Sequence, residues 1–70
     1  MDVVSIIELI TKAITIAEAL IEAGQTAAPA FKAIADLASG AQNEDITDEQ
    51  LQTTEDVLDG LVSQFNLEME

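Results

Sequence analysis

Apolar and polar positions separate this chain into three stretches with a helical period. From Val3 to Ala23, the residues Val3, Ile7, Ile10, Ile14, Ala17 and Ile21 recur three or four positions apart. That spacing keeps side chains on one face of an α-helix. A second set, Ile6, Leu9, Ala13, Ile16 and Leu20, widens the stripe on one flank, and Ser5, Glu8, Thr11, Lys12, Thr15, Glu18 and Glu22 take the remaining arc. A surface helix needs an apolar arc of about 100° or somewhat more, and this one is wider. The pattern predicts a helix over 3–23 whose flanks must also be buried, either between two other helices of a monomer or against another molecule. Within it, Glu8 and Lys12 stand four apart in the favourable acid-first order.

Gly24 fits the left-handed position that closes a helix, and Thr26 and Pro29 fit the cap and first turn of the next one. That second helix is predicted over 29–39, with Phe31, Ile34, Leu37 and Ala38 as its apolar side and Gly40 as its stop. Residues 41–45 read as a polar loop. The third helix is predicted over 47–66. Thr47 and Gln50 have the spacing of a capping box, Ile46 and Leu51 that of a hydrophobic staple, and Asp48 and Glu49 suit the positive end of the helix dipole. Its inward stripe is Leu51, Thr54, Leu58, Leu61, Val62 and Phe65, with Val57 on the edge. Gly60 interrupts the helix interior at about 1 kcal/mol relative to alanine, either to permit close backbone approach or as a residue tolerated on the exposed side, beside the acidic face. Residues 67–70 alternate apolar and acidic, as a frayed tail or as an arm that orders on a neighbour. Phe31 and Phe65, the only aromatics, are expected to meet in the core. Together these elements make one all-α domain over 1–70, a small three-helix bundle with a long apolar N-terminal helix.

Composition sharpens the question of what covers that helix. A 70-residue chain is near the size at which a single core supplies only about 3–5 kcal/mol, and such domains lean on disulfides, metals or oligomerisation. Cysteine and histidine are both absent, which removes disulfides and conventional zinc sites. Oligomerisation or docking is left. The net charge is −12, with only Lys12 and Lys32 against 14 acids. Nucleic acid and anionic membrane surfaces are poor partners for it; a basic protein surface suits it, although strong charge also serves plain solubility. A membrane span is disfavoured by Glu8, Lys12, Glu18 and Glu22, because a charge at bilayer centre costs about 2.5 kcal/mol or more. A signal peptide is disfavoured by the lack of a positive leading segment.

Catalytic chemistry finds no foothold. General acid–base work needs a desolvated carboxylate, and Glu44, Asp45, Asp48, Glu49, Glu55, Asp56 and Asp59 are assigned to a loop and a solvated helix face. The acids at 44, 45, 48 and 49 lack the spacing and central glycine of an EF-hand loop. Ser5, Ser39 and Ser63 have no histidine to activate them. No enzyme, cofactor, metal or small-molecule substrate is expected.

Two functions remain. The first is a structural accessory module that oligomerises or docks through its first helix, with Leu9, Ile16 and Leu20 as the flank expected to face the partner. The second is an inhibitor whose Asp48, Glu49, Glu55, Asp56 and Asp59 imitate a phosphate backbone and block a basic host protein. The succession of the apolar helix over 3–23, the segment from Pro29 to Gly40, and the run Ile46-Thr47-Asp48-Glu49-Gln50-Leu51 leading to Phe65-Asn66 resembles small acidic helical proteins of tailed bacteriophages. The resemblance is one of pattern over most of the chain and carries over no functional residue. It implies a virion accessory role, head-associated or capsid-decorating, and a location in the virion or the host cytoplasm.

Overall fold

A computed structural model describes residues 3–43 and 46–67. Three helices, α1 (Val3–Glu22), α2 (Ala28–Asn43) and α3 (Asp48–Phe65), make up a small all-α three-helix bundle. The body is elongated, 34 × 16 × 16 Å, because α1 runs its length. α1 packs on both other helices, whereas α2 and α3 touch each other sparingly.

The helix ends follow from local chemistry. Gly24, at φ 77°, closes α1: its N–H donates to Ile21 O at 3.0 Å and the Gln25 N–H donates to Leu20 O at 2.8 Å. This paired pattern is the Schellman motif, which satisfies carbonyls left over at a helix end. The Ala28 N–H at the start of α2 donates to Thr26 Oγ1 at 3.3 Å, and Pro29 occupies the first turn, where no backbone donor is needed. At α3 the predicted capping box is complete, with Gln50 N–H donating to Thr47 Oγ1 at 3.1 Å and Thr47 N–H donating to Gln50 Oε1 at 2.8 Å. Ile46 of the predicted staple is half-buried against the core and Leu51 is buried. Asn66, left-handed at φ 51° and ψ 47°, ends α3, and the next N–H, of Leu67, donates to Val62 O at 3.0 Å.

The core is built almost wholly of aliphatic side chains. Ile16, Leu20 and Leu58 are its largest fully buried members. Ala13 and Ala17 of α1 and Ala27, Ala30 and Ala33 at α2 are buried beside them, small side chains that let two helices approach closely. Among the described residues no polar or charged side chain is buried, so no desolvated group needs compensation.

Four expectations are corrected. The inward face of α1 is Ile6, Leu9, Ala13, Ile16, Ala17 and Leu20, whereas Val3, Ile7, Ile14 and Ile21 stay exposed. Leu9, Ile16 and Leu20, assigned above to a partner, are therefore core residues and face α2 and α3. Phe31 does not meet Phe65 inside; it is 55% exposed, while Phe65 is half-buried against the core. α2 does not stop at Gly40 but continues to Asn43. A Cβ built on Gly40 overlaps Ile46 Cγ1 and lies 2.8 Å from its Cδ1, so this glycine makes room for a side chain and does not end a helix. Glu44, Asp45 and the tail beyond Leu67 lie outside the described residues; Leu67 itself packs against the core.

Candidate interaction surface

Two surfaces follow from this packing, one on each side of the bundle. At about 100° of rotation per residue, the buried set of α1 and the exposed set Val3, Ile7, Ile14 and Ile21 occupy adjacent sectors of one helix. Ile10, half-buried, lies on the border between them. The exposed four are 57%, 56%, 46% and 60% accessible, a line of aliphatic side chains along the whole of α1. Monomeric proteins seldom leave such contiguous apolar ground uncovered.

The position of the line relative to the other helices is set by α3. Lys12 Nζ pairs with Asp59 Oδ1, and Ser5, Glu8, Leu9 and Lys12 line a cleft together with Asp48, Leu51, Gln52 and Glu55. α3 therefore lies on the Lys12 side of the buried sector, and the isoleucine line borders the other side, next to α2. On α2 the same logic holds. Asp36, Leu37, Gly40 and Asn43 face the start of α3 across a cleft of about 690 Å³ that also includes Ile46, Thr47 and Gln50, and Phe31 falls on the opposite edge. The line on α1 and Phe31 on α2 thus belong to one apolar face, directed away from α3.

The second surface is the outer side of α3. Asp48, Glu49, Glu55, Asp56 and Asp59 are all exposed and fall within an arc of roughly 120° at 100° per residue. Gln52 Nε2 donates to Asp56 Oδ1 at 3.1 Å, and Lys12 is the one cation that reaches the array among the described residues. Sequence spacing pairs Lys12 with Glu8; the fold gives it to Asp59 instead, because α3 supplies a carboxylate across the helix interface. Lys32 lies apart and pairs with Asp36 at 3.9 Å within α2. Among the described residues no group of acids is clustered as metal ligands are, and no helix is long and apolar enough to cross a membrane.

No family model, curated protein or solved structure matches this chain. The surfaces therefore have to be read from their own chemistry.

Periodicity puts Val3, Ile7, Ile14 and Ile21 on the main apolar stripe of α1, and the fold leaves them outside. No local signal distinguishes the two stripes, because each holds one alanine, Ala17 among the isoleucines and Ala13 on the flank, and both alanines are buried in the fold.

Proposed function

We propose that this chain is a non-enzymatic interaction module that docks through the apolar face of α1. The observation that carries the reading is the exposure of Val3, Ile7, Ile14 and Ile21 along α1, beside a core filled by other residues. A domain this small gains little from its own core, and covering that line supplies apolar burial that the monomer leaves unused. The setting we propose, on the pattern resemblance alone, is a tailed-phage virion, with the module associated with the head or decorating the capsid. Support for a non-enzymatic role comes from the absence of histidine and cysteine and from carboxylates that remain in solvent.

A second reading rests on a separate observation, the five exposed carboxylates on one side of α3. In it, that array binds a basic host protein by imitating nucleic-acid phosphates. The two readings are separated by a photo-crosslinking residue placed at Ile14 or at Asp56 in cells producing the protein. Adducts from Ile14 alone support docking through α1. Adducts from Asp56 alone, lost as ionic strength rises, support the acidic array and sink the first reading.

A further inference from the structure

The exposed row on α1 keeps a strict step. Ile7, Ile14 and Ile21 follow one another at seven residues, and all three are exposed. The inward side of the same helix keeps that step too: Ile6, Ala13 and Leu20 are seven apart, as are Leu9 and Ile16, and all five are buried. There the step is answered by helices, because α1 packs against α2 and α3. A seven-residue apolar repeat is the period of a seam between helices, in which knobs of one enter holes of the other. The row drifts by about 20° every two turns, which carries it towards α2 as α1 proceeds. α2 continues the face: Phe31, Ile34, Ala35 and Ala38 fall within an arc of about 100° on the side away from Asp36 and Gly40. Among the described residues, no acid lies in either sector.

We infer that this face receives an amphipathic helix of another protein, laid in the groove between α1 and α2, with lysine or arginine along the edge beside Glu18 and Glu22. The inference rests on the proposed docking role of α1 and names the chemistry of the partner.

Shape, length and charge select that occupant. From Val3 to Ile21 the row runs about 27 Å, the length of about five helical turns. A strip of that length across two helices about 8–10 Å apart covers roughly 500 Å², so the two partners together bury about 1,000 Å², where specific interfaces begin. α1 alone offers half of this, and both helices must take part. α3 already shows what such a groove accepts: it seats itself on the other side of α1 with Leu51, Leu58 and Leu61, at spacings of seven and three. Anchors three, four and seven apart are how helices are read in grooves. As for charge, Glu18 and Glu22 are exposed one turn apart, on the side of the row away from α2. The opposite rim, on α2, carries Lys32, paired with Asp36 of its own helix. A basic edge therefore suits the α1 side of the groove alone, and the net charge of −12 repels a second acidic chain from the same place. Charges at a rim chiefly decide which partner is accepted, while the apolar row supplies the burial.

The experiment is fluorescence anisotropy of labelled helical peptides, each about 18 residues long, titrated with the full chain while light scattering follows its solution mass. The first peptide has leucines at three-four spacing and lysines along one edge. The second has glutamates in place of the lysines, and the third keeps the composition of the first with its leucines scrambled. The first should bind about tenfold tighter than either of the others, and Ile14→Lys should weaken it about tenfold with helix content unchanged. Ile7→Lys repeats that test if Ile14→Lys loses its fold. Glu18→Gln together with Glu22→Gln should narrow the gap between the first and second peptides. Equal binding of the first and third peptides overturns the inference, since charge alone then accounts for it, and equal binding of the first and second overturns the basic edge. Binding indifferent to both lysine variants overturns the placement in this groove. A mass that doubles with concentration and returns to one copy in Ile14→Lys makes a second copy the occupant and overturns the inference. No binding of any peptide, with adducts still formed from Ile14 in cells, overturns the helical partner and leaves docking through α1 standing; without those adducts, both fall.

Discussion

Gly40 of α2 and Ile46, just ahead of α3, occupy one space: the isoleucine side chain lies where a Cβ on the glycine would be. The contact ties the end of α2 to the entry of α3, two helices that otherwise meet little. Alanine at 40 gains about 1 kcal/mol of helix propensity and loses about 1–3 kcal/mol to overpacking. Gly40→Ala should therefore lower stability in denaturant titrations, whereas the same change in an Ile46→Ala background should raise it. Equal effects in the two backgrounds would mean that the glycine is not spacing for Ile46.

Adjacent isoleucines of α1 should behave in opposite ways. Ile16 is fully buried and Ile14 is 46% exposed. Ile16→Ala should cost about 2–5 kcal/mol through lost burial and a cavity, while Ile14→Ala, measured on dilute monomer, should stay within about 1 kcal/mol. Thermal unfolding followed by circular dichroism reads both. Comparable losses at the two positions would contradict the assignment of the inward face.

The Lys12–Asp59 pair joins α1 to α3 at the surface, with side chains 35% and 57% exposed. Exposed pairs contribute about 0–1 kcal/mol. Lys12→Gln should accordingly change the denaturation midpoint slightly, and the change should shrink further in molar salt. A loss of several kcal/mol would show that the pair does more than lie on the surface.

Gly60 lies in the interior of α3, exposed, with nothing within 4 Å of an added Cβ. Gly60→Ala should raise stability by about 1 kcal/mol. A higher melting temperature with unchanged solution mass is the expected result, and destabilisation would place a neighbour over that face.

The sequence by itself determined the three helices, their order and most of their ends. These are local matters. Thr47 with Gln50, Gly24 and Asn66 act on backbone groups within a few residues, and Leu51, Leu58 and Leu61 form the one apolar side that α3 possesses. α1 is different, because its apolar arc is wide enough to hold two adjacent stripes and periodicity alone ranks neither first. Only the tertiary structure decided between them. The set Ile6, Leu9, Ala13, Ile16 and Leu20 went inward and took Ala17 from the edge of the other stripe, against the small side chains of Ala30 and Ala33 on α2, and the isoleucines at 7, 14 and 21 were left outside. Gly40 was undecidable for a related reason: glycine serves equally as a left-handed stop and as an absent side chain. Which of the two applies depends on whether Ile46 arrives from a distant turn to fill the space.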